Sequence, residues 1–354
     1  MRILGRYIGR WVVGATLLAL AVLLALFTVF ALIDQLGDVG KGRFGLADMV
    51  EYLVLTTPRR VYELIPVATL LGTLLGLGVL ASHSELTVIR AAGVSAWRIA
   101  AATLKAVALP IIAGIIIGDF VVPAADDLAE TRRSIALTSQ IALKTRTGFW
   151  ARDGQRFVNI REVLPDRRLA DVYIYAFDEK RRLRTAVRAA GARAVADRWI
   201  LEEVSESVIS AERVESRSAT SLPWEAPLAA DLVDLAVIRP DRASSADLLR
   251  YVRFLRGNGQ DPALYELALW SKLTMPLTAG AMALLAIPFV FGPLRSVGMG
   301  QRVLAGSLVG VSFHIISQAT AQVGLVYGLP PAVGATVPTL AVAALATWLL
   351  RRAS

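Results

Sequence analysis

The chain has 354 residues, 55% of them hydrophobic, a mean hydropathy of +0.55 and a formal net charge of +9. So apolar a composition excludes an ordinary soluble protein and predicts an integral membrane protein. There is no cysteine, which excludes disulfides, zinc–thiolate sites and cysteine nucleophiles, and no H-E-x-x-H, G-x-S-x-G or P-loop string occurs, which argues against a hydrolase built within this chain.

Arginines at 2, 6 and 10 form an i, i+4 stripe suited to the inner headgroups. Six stretches then have bilayer-spanning length: about Trp11–Ile33, Pro58–Ala81, Ile99–Val122, Leu267–Phe291, Val303–Val326 and Ala332–Leu350. The first is too long for a signal peptide and no A-x-A-like cleavage site follows it. The segment after it mixes charges with glycines, which suits an outer connection followed by an amphipathic helix from about Leu46. Lys41 and Arg43 in that connection read as solvated loop charges on base rates, with an anionic headgroup as the alternative partner.

Gly72 and Gly76 in the second span, and Gly114 and Gly118 in the third, have the G-x-x-x-G spacing for close helix approach, either within the bundle or against a second subunit. Pro66 and Pro110 mark kinks. Between these spans, Ser82–Arg98 reads SHSELTVIRAAGVSAWR. Ser82 and Glu85 have capping-box spacing, so a helix is expected, with Leu86, Ile89 and Trp97 making apolar contacts and Gly93 just past its end. Arg90 and Arg98 place it on the cytoplasmic side. The residues alone leave two readings: a loop helix whose Glu85 merely caps, or a surface that docks on a soluble motor the chain lacks.

From Pro123 a polar helical extension runs on, and from Phe149 the pattern becomes β. GFWARDGQRFVNI is a hairpin with Asp153 and Gly154 at its turn, and DVYIYAF, LRTAVRAA, ARAVAD and RWILEEVSESVI read as further strands with turns at Asp178 to Arg181 and Asp197 to Arg198. An all-β domain of about 100 residues results, sandwich-like or jelly-roll-like. Ser244–Arg256 is a short helix with Leu248, Leu249, Val252 and Leu255 on one side, and Asp261 and Pro262 suit the start of the next helix.

FGPLRSVGMGQR is a tight, basic inner loop. The fifth span carries Ser312, His314, Ser317, Gln318, Thr320 and Gln322; hydrogen bonding between helices is favoured there over direct substrate contact, with His314, Gln318 and Gln322 as cavity-lining candidates. The predicted division is residues 1–138 for spans one to three with a cytoplasmic helix over 82–98, 139–243 for the β domain, 244–266 for connecting helices and 267–354 for spans four to six.

With the N-terminus cytoplasmic, the inner flanks hold Arg2, Arg6, Arg10, Arg90, Arg98, Arg295, Arg302, Arg351 and Arg352 against the single acid Glu85, a strong positive-inside pattern. Between Pro123 and Asp261 stand 23 Lys and Arg against 21 Asp and Glu, so +7 of the +9 lies on the membrane portion. The basic balance reflects topology and gives no reason to expect nucleic-acid binding.

Three spans, a β domain and three more spans, with inner loops at SELTVIRAAG and FGPLRSVGMG, resemble the LptF/LptG permease family of the lipopolysaccharide transporter over essentially the whole chain. RYIGR, DQL, LLGLGVLASHSELTVIRAAG, GFWARDG, IYAF and WSK through FGPLRS resemble its LptG branch more than the paralogous LptF branch. The resemblance implies a heterodimer with LptF, a dimer of the ATPase LptB beneath it, LptC alongside, and lipopolysaccharide extracted from the outer leaflet of the inner membrane and passed across stacked periplasmic β domains to LptA. It also implies that this chain is not catalytic and binds no cofactor or metal, ATP and Mg being held by LptB.

Glu85 matches the acidic position that engages LptB, with Leu86, Ile89 and Arg90 as further coupling candidates. Arg133 matches a basic position that contacts the lipid headgroup. A second expected arginine falls on Glu130, with Arg132 as its substitute. An expected basic residue near the end of the first span aligns with Ala31, and two expected lysines align with Gly37 and Asp38, with Lys41 and Arg43 as replacements. The rival readings are an ion-driven secondary transporter of an amphipathic lipid, for which no motif repeats between the halves, and a scaffold for periplasmic partners.

Overall fold

The computed structural model describes residues 2–138, 143–153, 155–163, 168–178, 180, 182–195, 198–210, 213–224, 240–291 and 298–353. Gly154, Arg181, Asp197 and Arg295 lie outside the described residues. Two compact units emerge, one of Met1–Gly37, Leu53–Asp126 and Ala263–Ser354, the other of Asp38–Tyr52 and Asp127–Pro262.

Among the described residues, six helices are long and apolar enough to cross a membrane. Helix α1 (Arg2–Leu36) is followed by α2 (Leu46–Leu55), α3 (Thr57–Ser82), the short α4 (Glu85–Ala91) and α5 (Ala96–Ile116). A π-helical turn, Ile117–Val121, carries α5 into α6 (Val122–Thr138). After the β region come α7 (Ser245–Gly257), α8 (Ala263–Phe291), α9 (Met299–Val326) and α10 (Pro331–Ala353).

Helices α3 and α8 form the centre: 72% and 67% of their apolar windows are buried, against 11% for α1 and α9, whose outer faces therefore await lipid or protein. Leu74, Leu77 and Leu80 of α3 pack with Ile8 and Val12 of α1, Ile99 and Val107 of α5 and Met282 and Ile287 of α8. In lipid such packing rests on shape and small residues, since hydrocarbon gives no hydrophobic drive between helices. A Cβ on Gly72 would meet Thr16 of α1, its backbone nitrogen at 2.5 Å, and one on Gly76 would lie 2.8 Å from the Trp11 carbonyl oxygen. Gly114 and Gly118 face Ile65 and the Tyr62 ring. Both glycine pairs thus pack inside this chain. The Thr278 and Thr339 hydroxyls, 2.7 Å apart, join α8 to α10.

Among the described residues the second unit carries six antiparallel strands: β1 (Leu143–Asp153), β2 (Arg156–Val163), β3 (Leu169–Phe177), β4 (Leu183–Val195), β5 (Arg198–Ile209) and β6 (Val214–Trp224). Each pairs with the next, giving one sheet in sequential order. The all-β expectation holds, and among the described residues the strands form a meander in one sheet, because short connections let consecutive strands pair directly. LRTAVRAA and the ARAV of ARAVAD fuse into β4 through Gly191. Val172, Ala189, Trp199, Leu201 and Trp224 build the core, with Phe254 of α7 packed against it.

Helix α7 is capped by Ser244, whose hydroxyl oxygen accepts from the Asp247 N–H at 3.1 Å. Its buried side is Leu248, Tyr251, Val252 and Leu255; Leu249 is 40% exposed, so the aromatic ring takes the place expected for that leucine.

Candidate functional site

The connection between α3 and α5 is the first candidate surface. The capping box does not form: the apolar pattern of α3 carries its helix through Ser82, whose hydroxyl donates to the Val79 carbonyl at 2.8 Å. Ser84, in the left-handed region at φ 60°, precedes α4 instead. At the other end, Gly93 at φ +85° donates to the Arg90 carbonyl at 2.9 Å and Val94 to that of Ile89 at 3.3 Å, the paired bonds of a Schellman motif.

Four side chains tie α4 down. Leu86 is 2% exposed within the bundle core, and Ile89 packs against that core. The Arg90 guanidinium lies 5.2 Å from the centre of the Phe291 ring. Glu85 accepts a hydrogen bond from the Tyr7 hydroxyl at 2.8 Å, linking α4 to α1. Of the coupling candidates, Leu86, Ile89 and Arg90 therefore anchor the helix, while its outward face presents Val88 at 66% exposure; Trp97, at the start of α5, is 41% exposed. Val88 and Tyr7 were not singled out in the sequence; the helical offset of Val88 from the buried Leu86 is the signal that points to it.

The second candidate surface lies in the second unit. Asp38 is shared by two headgroup candidates, Arg133 Nη2 at 2.6 Å and Lys41 Nζ at 2.7 Å. These hydrogen bonds, Lys41's first, hold the Asp38 carboxyl below its ordinary value. Arg133 also lies 5.3 Å from the Tyr52 ring centre and 3.8 Å from Glu130, which pairs with Arg242 at 3.1 Å. Arg132 pairs with Glu51. The Arg43 side chain is exposed, while its backbone N–H donates to the Ala136 carbonyl at 2.7 Å. The structure thus brings Lys41 and Arg133 together around a carboxylate that any anionic ligand has to displace or bridge.

On α9, the ring Nε2 of His314 lies 3.2 Å from Gln318 Nε2, and His314, Gln318 and Gln322 are all exposed, one helical turn apart. They form a polar stripe on the outer face of a membrane-length helix. A further feature escaped the sequence. Lys272, with 10% of its side chain exposed, donates to the Gly118 carbonyl at 2.9 Å and stands 3.6 Å from Asp119. The π-helical turn there interrupts the regular ladder, and the ammonium satisfies one of its carbonyls; an ion pair at a π-turn inside membrane-length helices is a functional signature.

Six membrane-length helices with an all-β segment between the third and fourth define a multi-pass membrane protein with no nucleotide-binding string of its own. The sequence model of the family described as "Lipopolysaccharide export system permease LptF/LptG" matches residues 6–352. The chain belongs to that family. It is 37% identical to the lipopolysaccharide export system permease protein LptG of Haemophilus influenzae, covering 99% of this chain and 98% of that one. It is 36% identical to the LptG of Escherichia coli K12, covering 99% of each. It is a multi-pass inner-membrane protein of the permease type.

Proposed function

We propose that this chain is the permease subunit of an ATP-driven exporter that takes lipopolysaccharide from the outer leaflet of the inner membrane and passes it to a periplasmic β-fold bridge. Its partners on this reading are LptF as second permease, an LptB dimer that holds ATP and Mg and does the hydrolysis, LptC, and LptA beyond the bridge. The termini and α4 are cytoplasmic and the β domain periplasmic, which the excess of arginine at the inner flanks supports. Moving several acyl chains through water would expose apolar surface at about 25 cal/mol per Å², so transport needs an external energy source and a sheltered path.

One observation carries the reading: α4 is fixed to the bundle along one side and bare along the other, with Val88 outward, as a helix that receives a push from a soluble partner must be. The test is reconstitution with the partner subunits in vesicles, following transfer of lipopolysaccharide to a periplasmic acceptor. ATP is expected to drive transfer, and Glu85→Ala to reduce it while leaving membrane insertion intact. Transfer that ignores ATP and follows a proton gradient would replace this reading with the ion-driven one.

A further inference from the structure

Between the first halves of α1 and α5 lies an open groove of about 1190 Å³. Four cations line it, Arg6 and Arg10 from α1 and Arg98 and Lys105 from α5, and among the described residues no acidic one does. Among the described residues none of the four forms an ion pair. The wall between them is made of small residues: a Cβ on Gly9 would sit 3.5 Å from that of Ala106, which sets Arg10 and Lys105 at one level on neighbouring helices.

Lys105 is the unexpected member. It stands nine residues into α5, about 13 Å along the helix axis, inside the apolar run IAAATLKAVALPII. An unpaired ammonium there is costly unless its stem reaches back to the interface or an anion comes to it. Beyond Lys105 the groove continues along Val13, Leu17 and Leu109, an apolar track in line with the charged mouth.

We infer that this groove is a binding site for an anionic glycerophospholipid, its phosphate held among Arg6, Arg10, Arg98 and Lys105 and one acyl chain laid along Val13, Leu17 and Leu109. Four cations with no counter-charge match a diphosphate headgroup, and basic pockets between membrane helices bind such lipids. A carboxylate on a partner's transmembrane helix would satisfy the charges too, but acids within spans are rare, whereas anionic lipid is abundant at a membrane surface. With the orientation proposed above, the lipid belongs to the cytoplasmic leaflet; the headgroup chemistry is independent of that orientation. The role is that of a bound structural lipid, distinct from the transported one.

The test is native mass spectrometry of the delipidated full-length chain titrated with cardiolipin, with phosphatidylcholine as the neutral comparison. One cardiolipin is expected to bind preferentially, with affinity falling about five-fold for each of Arg10→Gln and Lys105→Gln. Arg10→Lys and Lys105→Arg are expected to keep it, and Arg351→Gln, at another basic helix end, to leave it unchanged. Ala102→Trp fills the groove without touching its charge and is expected to abolish binding, which covers the case in which a charge variant does not fold. Equal binding of phosphatidylcholine, unchanged binding in both Gln variants, or a photo-crosslinker at Ala101 that captures a partner helix in the assembled complex would overturn the assignment. Neither ATP nor lipopolysaccharide enters the titration, so its failure and that of the transport reading are separable.

Discussion

Tyr7→Phe removes one hydroxyl and with it the 2.8 Å hydrogen bond to Glu85, while the ring keeps its place. A bond to an ionised acceptor contributes about 1.5–3 kcal/mol when buried; Tyr7 is 39% exposed, so about 1 kcal/mol is the working figure, a roughly five-fold shift in the seating of α4 on α1. Glu85→Ala removes the same bond and also the carboxylate assigned to the partner ATPase. If Glu85 has both roles, the loss in ATP-driven lipid transfer for Glu85→Ala exceeds that for Tyr7→Phe by at least another five-fold. The double variant then matches Glu85→Ala alone, because the shared bond is lost only once. Transfer from vesicles, read beside retention of the ATPase on the purified membrane subunits, supplies all four corners of the cycle. Equal deficits in the two single variants, with the ATPase retained in both, would show that Glu85 only ties α4 to α1.

Gly72→Ala places a methyl group against the backbone of Thr16 and is expected to lower stability by about 1–3 kcal/mol, whereas Gly280→Ala, with nothing within 4 Å, is expected to be neutral or stabilising by up to about 1 kcal/mol; melting temperatures in detergent distinguish the two. Asp38→Asn frees Lys41 and Arg133 from their shared counter-charge and is expected to tighten binding of a phosphorylated lipid headgroup several-fold, measured by titration. Because the folded Asp38 carboxyl is depressed, its stabilising contribution is present above the ordinary value near 3.8 and is lost as pH falls through the lower folded value, so the native loop should behave alike from pH 6 to about 8 and change only in stronger acid. Val88→Asp is expected to abolish ATPase co-purification with normal membrane insertion, while Leu86→Ala, at 2% exposure, should destabilise the chain itself by about 2–5 kcal/mol.

What the sequence reveals and what it hides divide along one line. Spans are legible because length and apolarity suffice, and α2 from Leu46 and α7 behind Ser244 are legible because amphipathic spacing and a cap are local signals. Strand β6, VESRSATSLPW, is not: its exposed Ser and Arg positions show no alternation, and what makes it a strand is pairing with β5. The start of α4 misleads because S-x-x-E fits a cap in spacing alone, whereas the packing of Leu80 holds α3 helical through Ser82. Arg133 and Asp38 are both visible as charges, yet 95 residues separate them, and only the fold shows that they neutralise each other. Lys272 and Asp119 are hidden in the same way, by 153 positions of chain and by an apolar run that draws attention from a single lysine.

The fixed side of α4 determines where a displacement goes. Leu86 is locked into the core shared by α3, α5 and α8, so α4 has no freedom to slide over the bundle without carrying its neighbours. Glu85 links it to α1, and α1 in turn is seated on α3 at the two glycines where backbones meet most closely, so the two helices move as a pair. On α5, Pro110 already removes one N–H from the ladder, and the α-helical pattern ends at the π-helical turn Ile117–Val121, where Lys272 supplies a hydrogen bond from outside the helix. The proline and the π-helical turn together concentrate bending in the second half of this span. The Lys272 contact to Gly118, made by a long side chain able to follow a shifted carbonyl, is the interaction that lets the turn change shape without leaving a buried backbone group unsatisfied.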